Sequence, residues 1–513
     1  MRRLQPIYGR EAAVACGHPS AAAAAWEILS AGGSVADAAL AAAATLTVTL
    51  PQACTLGGDA FILVHDAETG QTYGLKASGC SPALTDPASF TPTIPERGPL
   101  TCTVPGVIGG WEALHDRFGR LPWARVLSRA TDLAEQGFLV SPGLAEATAV
   151  YRPMLEQDPG AKKLFVKNAR AGTLFRQPEL AETLRNLAES KAKGFYQGKT
   201  AASLCAYIQS RGGWLRERDF AAYKPEWVAP LSLPYRGLTV NVMPPNSYGI
   251  YMLLQLATLA DVDFSKLGPE APERYAALIA ASQAAFEAGD RYVADPRSAP
   301  RSDPLLEADG LSKLRKDFHA RAGGAPANRG GTAVVSIVDK KGNAVCIVQS
   351  VFLAFGSGVA DPATGILLNN RMIGFSTRSD HPNMVAPEKQ PAHTLNPVIV
   401  LEGDRVRYVL ATPGGPGQTI TLTQVLQAMC DHGLPLQDAI GLPRWSVDLT
   451  GSLIVEPGLP EETVRVLQKI GFDTKRAAGN TLFFGSAECV ERFPEGGLVA
   501  VADDRREAYA IAI

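Results

Sequence analysis

The feature that most constrains this chain is an abrupt change of character at residue 331. Residues 320–329 are small, polar and contain Pro and Gly, the pattern of an exposed, flexible loop. After Gly330-Gly331 the chain runs directly into Thr332-Ala-Val-Val-Ser-Ile-Val-Asp339, whose β-branched and apolar residues predict a buried strand. Lys340-Lys341-Gly342-Asn343 predicts a turn, and residues 344–351 predict the return strand of a hairpin.

A Gly-rich loop entering a buried strand at a threonine has a chemical consequence. Intramolecular peptide cleavage requires the hydroxyl of one residue to attack the carbonyl of the residue before it. That geometry strains the backbone, and glycine at the preceding position adopts unusual dihedrals cheaply. Cleavage then frees an α-amine with an unperturbed pKa of about 8, which can serve as general base for its own hydroxyl. Gly331–Thr332 has these elements, although such a junction is equally compatible with an ordinary turn. A second element lies downstream. Thr412-Pro413-Gly414-Gly415-Pro416-Gly417 follows a predicted strand at 406–410 and precedes a predicted helix at 420–430. Adjacent glycines at such a turn can aim backbone N–H groups, helped by the helix dipole, at an anionic oxygen. Neither G-x-G-x-x-G nor a P-loop pattern occurs there, so nucleotide binding has no support.

The first third of the chain predicts a helix at 21–30 with Ser20 at its N-cap, an Ala-rich helix at 35–47, and strands at 59–65 and 71–76. From 110 to 320 the pattern is mainly helical, with segments at 110–118, 123–136, 177–191, 200–211, 250–259, 272–293 and 311–318. A net charge of -2 with scattered Lys and Arg excludes nucleic acid and anionic membrane surfaces as expected partners. The eight cysteines form no C-x-x-C pair, so no metal site is expected and buried free thiols are. No apolar run follows the N-terminal arginines, and residues 36–50 fall short of the about 20 needed to span a membrane. A cytoplasmic location is therefore the expectation.

Several segments together carry a family pattern: Ala31-Gly-Gly-Ser-Val-Ala-Asp-Ala-Ala39, Thr103-Val-Pro-Gly-Val-Ile-Gly-Gly110, Met243-Pro-Pro-Asn-Ser-Tyr-Gly249, Val338-Asp-Lys-Lys-Gly-Asn-Ala-Val345, Phe355-Gly-Ser-Gly358, Thr364-Gly-Ile-Leu-Leu-Asn-Asn370 and Thr412-Pro-Gly-Gly415. Along nearly its whole length the chain resembles the γ-glutamyltransferase family of N-terminal-nucleophile hydrolases. The resemblance implies an α+β fold, a four-layer αββα sandwich with a mainly helical segment in the large chain. It also implies a zymogen, cut into a large chain (1–331) and a small chain (332–513) that remain one globular unit. These two chains would form a processed heterodimer, alone or dimerised further. Matched on residues 338–345, the family's catalytic threonine falls on Thr332, the oxyanion hole on Gly414 and Gly415, and a threonine near the nucleophile on Ser350.

The departures bear on substrate. Where γ-glutamyl enzymes of the family carry an arginine that binds the glutamate carboxylate, this chain has Ser78-Gly79-Cys80-Ser81-Pro82. Gly374 stands where they carry an aspartate for the α-amino group, Phe352 replaces an asparagine, and His393-Thr394 replaces a serine pair. Losing both charged clamps removes interactions worth about 1.5–3 kcal/mol each. Arg371, beside Asn370, is a new cation that can bind one carboxylate or serve as an ordinary packing arginine. His393 can hydrogen-bond substrate or fill a polar core position, and Phe352 narrows or dries the pocket. These residues resemble the family's amidohydrolase branch, which includes oxamate amidohydrolase. The expected activity is hydrolysis of a small carboxylate-bearing linear amide by an N-terminal threonine, with no cofactor. The alternatives are a γ-glutamyl hydrolase or transferase with a non-standard clamp, a cephalosporin-type acylase, and, from another class, an uncleaved non-enzymatic family member.

Overall fold

The computed structural model describes residues 2–166, 169–317, 331–447, 452–479 and 484–513. The loop expected at 320–329, and Gly330 with it, lies outside these residues. The strands of the two large sheets are, in chain order, β1 (Ile7–Gly9), β2 (Ala12–Cys16), β3 (Asp59–Asp66), β4 (Gln71–Ala77), β5 (Glu226–Val228), β6 (Leu231–Tyr235), β7 (Leu238–Val242), β8 (Gly331–Asp339), β9 (Ala344–Phe352), β10 (Val398–Glu402), β11 (Arg405–Ala411), β12 (Glu488–Arg492), β13 (Leu498–Ala502) and β14 (Tyr509–Ala512). One seven-stranded sheet runs β1-β13-β12-β11-β10-β7-β6, and the other β14-β2-β8-β9-β3-β4-β5.

Alternation along each strand creates three packed interfaces. Val334 and Val338 of β8 meet Leu63, Val409 and Val490 in the core between the sheets. Val335 and Ile337, on the opposite face of β8, join an outer core. That core includes helices α1 (Pro19–Ser30), α2 (Val35–Thr49), α3 (Val107–Phe118) and α4 (Trp123–Gln136). The outward residues of the other sheet, among them Val240, Val398 and Leu410, share a core with α5 (Gly249–Leu259), α6 (Pro272–Gly289) and α7 (Gly417–His432). The result is the four-layer αββα sandwich. Every residue of α2 is buried, and its alanines let the helix lie close to the sheet.

The β8–β9 hairpin forms as its pattern predicts. Asn343 closes the turn by donating from its backbone N and its Nδ2 to the Asp339 carboxylate, at 2.9 and 2.8 Å. Both sheets combine strands from before and after residue 331, with β8 seated between β2 and β9. All eight cysteines are free; Cys80 and Cys430 are partly exposed and the others are buried.

Three details differ from expectation. His18, not Ser20, caps α1, its Nδ1 accepting from Ser20 N at 3.1 Å. The helix expected to reach 293 stops at Gly289. A hairpin, β6–β7, interrupts the span read as mainly helical, turning at Arg236-Gly237 with φ of 49° and 81°. Its five-residue strands lie at a sheet edge, too short for a strong alternating signal.

Asp37 ties this scaffold together from inside α2. Its Oδ2 accepts from Ser34 N, Arg120 N and Leu121 N at 2.9, 2.9 and 3.1 Å. Asp37→Ala strands those donors, and we expect a loss on the order of 3 kcal/mol, read as a lowered thermal midpoint. The exposed Asp116→Ala serves as a control expected to change it little.

Candidate active site

Thr332 is the second residue of β8 and is buried. Gly331 pairs with Phe352 and Ala333 with Gln349, so β9 gains one residue over β8 at this point. The bulge kinks the hairpin where the nucleophile is expected. Inside it, Ser350 Oγ donates to the Gly331 carbonyl at 2.6 Å and accepts from Phe352 N at 2.6 Å. A side chain at 331 would put its Cβ 2.6 Å from Gln52 O, so glycine is required there by backbone crowding.

The Pro413-Gly414-Gly415 turn joins β11 to α7. Gly414 and Gly415 have φ of 134° and 54°, conformations that favour glycine. Their carbonyls accept from Gly417 N and Gln418 N in the first turn of α7. Their own N–H groups meet no acceptor among the described residues. Gly485 backs the turn, with room for no Cβ against Pro413 O and Thr412 Oγ1.

A second centre gathers around Asp59, which opens β3 and pairs in register with Ser350. Arg371 Nε and His393 Nε2 each lie 3.4 Å from Asp59 Oδ2. The Arg371 guanidinium sits 4.3 Å from the centroid of the Phe352 ring. Phe352 has a φ of 80°, rare for a bulky residue and a mark of local strain. Arg371 is fully buried, yet Nε, Nη1 and Nη2 all lack a hydrogen-bond partner; the Nε–Asp59 contact has ion-pair distance without hydrogen-bond alignment. The buried Arg505, by contrast, donates from all three nitrogens to Glu456, Asp503 and backbone carbonyls. Burial, opposed by Asp59, lowers the Arg371 pKa to about 10. Burial and then the neighbouring Arg371 lower that of His393 to about 4, so the imidazole is neutral at pH 7. It stacks on Phe61 at 4.5 Å between ring centroids.

The remaining predicted residues have distinct surroundings. Asn370 is consumed by the backbone, accepting from Leu353 N at 3.1 Å and donating to Glu96 O at 2.8 Å. Thr394 is buried next to His393. Ser78 is buried with its Oγ unpartnered, and Gly79 packs so tightly that a Cβ would lie 2.0 Å from Val104 O. No side chain can project from position 79.

Thr332 also lines a cavity of about 530 Å³, with Gln52, Arg97, Tyr151, Pro413 and Glu488 among its walls. Arg371, Phe352, His393, Gly414 and Gly415 are not among the described wall residues, so the buried Asp59 centre lies apart from this cavity. Asp59 and Glu488 are the residues that sequence reading missed. An aspartate opening an otherwise apolar strand was the available signal for Asp59; nothing local marks Glu488. No group of three or more metal-ligating side chains occurs among the described residues, and no described helix is long and apolar enough to cross a membrane.

The chain is similar to known proteins along nearly its whole length. The gamma-glutamyltranspeptidase family profile matches residues 21–513. The chain is 34% identical to the glutathione hydrolase-like YwrD proenzyme of Bacillus subtilis, over 99% of each. It is also 34% identical to the oxamate amidohydrolase proenzyme of Klebsiella pneumoniae, over 96% of this chain and 97% of that protein. The crystal structure of cephalosporin acylase from Bacillus halodurans superimposes with a TM-score of 0.94 at 32% identity, covering 100% of this chain and 98% of that one. The chain belongs to the gamma-glutamyltranspeptidase family, whose members are N-terminal-nucleophile hydrolases acting on amide bonds.

The neutral state of His393 has a measurable consequence. Its pKa falls from 6.5 in the unfolded chain to about 4 in the folded one. Between those values the unfolded state binds the extra proton, so stability falls as pH drops from about 6.5 to about 4. Histidine-selective NMR should find this imidazole neutral at pH 6, and His393→Gln should flatten the slope of stability against pH in that window. A resonance titrating near 6.5 would contradict the burial argument.

Proposed function

We propose that this chain is a self-processing amidohydrolase that cuts itself between Gly331 and Thr332 and then hydrolyses a small carboxylate-bearing amide of the oxamate type. In the first step Thr332 Oγ attacks the Gly331 carbonyl carbon. The Ser350 hydroxyl, already donating to that carbonyl oxygen, stabilises the developing negative charge. The peptide C–N bond breaks as the ester forms, and water releases the Gly331 carboxylate. Residues 1–331 and 332–513 then persist as one unit, because each sheet is built from strands of both.

In the second step the freed α-amine of Thr332 takes the hydroxyl proton as Oγ attacks the substrate carbonyl, and it passes that proton to the departing amine. The N–H groups of Gly414 and Gly415 hold the tetrahedral oxyanion, a contribution of about 3 kcal/mol per donor in comparable sites. Water hydrolyses the acyl-threonine ester and regenerates the enzyme. No step draws on a cofactor.

The observation that carries the substrate class is the Arg371 guanidinium. A buried charge without hydrogen bonds costs several kcal/mol, and a carboxylate would offset it through paired, charge-assisted bonds. Phe352 closes this subsite against a long acyl chain, while His393 and Thr394 line its neighbourhood. Asn370 holds the segment in register, and Ser78 offers a further hydroxyl. Ser78 stands where a γ-glutamyl clamp carries its arginine, although the similarity to the glutathione hydrolase-like protein keeps that substrate in the test.

A denaturing gel of purified protein should show two fragments in place of one 54.3 kDa band. Thr332→Ala should remain a single band, and Ser350→Ala should cut itself on the order of 100-fold more slowly, as loss of one oxyanion donor predicts. Ser350→Thr should retain processing. Ammonia release should favour small amides such as oxamate over a γ-glutamyl chromogenic substrate, and Arg371→Gln should lower kcat/KM for the anionic amide by roughly 100-fold. Preferential turnover of the γ-glutamyl compound would overturn the substrate class. A chain that stays intact and inactive would overturn the whole reading.

A further inference from the structure

We propose that the cavity beside Thr332 receives the amine half of the substrate and selects an amine bearing a second, cationic group. The proposal rests on the amidohydrolase reading for the identity of that half. The volume is the first reason. About 530 Å³ is far more than a departing ammonia needs, given that a water molecule occupies about 30 Å³ of liquid.

The wall supplies the second reason. Four carboxyl side chains line the cavity, Glu96, Glu146, Glu488 and Glu507, against two guanidinium groups, Arg97 and Arg506. Arg97 is engaged by the protein, donating from Nη1 to Ala354 O at 2.7 Å and lying 5.3 Å from the centroid of the Tyr151 ring. One Glu507 oxygen accepts from Gly143 N at 2.7 Å.

Glu488 is the distinctive group. It is fully buried at the start of β12, where Ser486 Oγ donates to its Oε1 and Oε2 has no partner. Its backbone carbonyl accepts from Ser336 Oγ of β8 at 2.8 Å, which ties this position to the nucleophile's own strand. The charged groups around it are Asp503, Arg506 and Arg444, and burial dominates them in raising its pKa well above the usual carboxylate range. An ammonium supplies donors for the unpartnered Oε2 and a positive charge next to the carboxyl group. Tyr151 and Leu353, also on the wall, offer apolar surface to the methylene stem of such an amine. The proposal thus pairs an anionic acyl half, held by Arg371, with a cationic amine half, held by Glu488.

Calorimetry on the processed protein tests this without turnover. Pentane-1,5-diamine should bind at least about tenfold more tightly than pentane-1,5-diol, the equivalent of one favourable ion pair. Raised salt should narrow the difference. Glu488→Gln should weaken diamine binding several-fold, and Glu146→Lys, a change at an exposed rim position, provides a second variant in which folding is not at issue. Equal binding of diol and diamine, or diamine binding untouched by both substitutions, would overturn the proposal. Because binding is read directly, the two readings fail separately. A protein that binds diamine but hydrolyses no amide loses the amidohydrolase reading only. One that hydrolyses amides with no preference for a cationic amine half loses this inference only.

Discussion

The hydrogen bond from Ser350 Oγ to the Gly331 carbonyl depends on one extra residue in β9, and much of the site depends on that bulge. The insertion shifts the β8–β9 register between Gly331 and Ala333. It sets Thr332 at a kink, brings the Ser350 hydroxyl onto the carbonyl before it, and leaves Phe352 at positive φ beneath Arg371. An unbroken ladder would have spent the same backbone groups on strand pairing. Gln52 and Ala53 close the arrangement from the side, crowding position 331 so that only glycine fits.

Charge inside the protein is distributed unevenly, and the unevenness separates structure from function. Arg505, Asp503, Glu456 and Arg444 form a buried network with contacts of 2.7 to 3.1 Å. It anchors the segment that brings Arg506 and Glu507 to the cavity wall. Such a satisfied network stabilises a unique geometry. Arg371 and Glu488 are buried to a similar degree but keep unpartnered atoms. Those atoms lie on either side of the hairpin that carries the nucleophile.

Much of the architecture was legible from local pattern. The β8–β9 hairpin, its Asp339–Asn343 turn, the Ala-rich α2 and the strand–glycine–helix unit around Gly414 all follow from residue type and period. The β6–β7 hairpin was not, because short edge strands carry little periodic signal inside a helix-rich span. Asp59 and Glu488 were not legible as site residues either. Each is a single acid at a strand start, and its partners Arg371, His393 and Ser486 are brought to it by packing between elements distant in sequence or by a turn.

By itself the sequence determined the class of fold and the family and singled out Thr332 as the candidate nucleophile, since these rest on contiguous motifs and short-range backbone preferences. It also determined that two charged clamps of the γ-glutamyl enzymes are missing. Only the tertiary structure decided that Gly331 is crowded by Gln52 and Ala53, leaving no room for a side chain. It alone decided that Arg371 is buried beside Asp59 without a hydrogen bond and is no surface arginine, and that Thr332 lines an acid-walled cavity apart from it. Burial and hydrogen-bond partnership are properties of the space between elements, and no local stretch of sequence encodes that space.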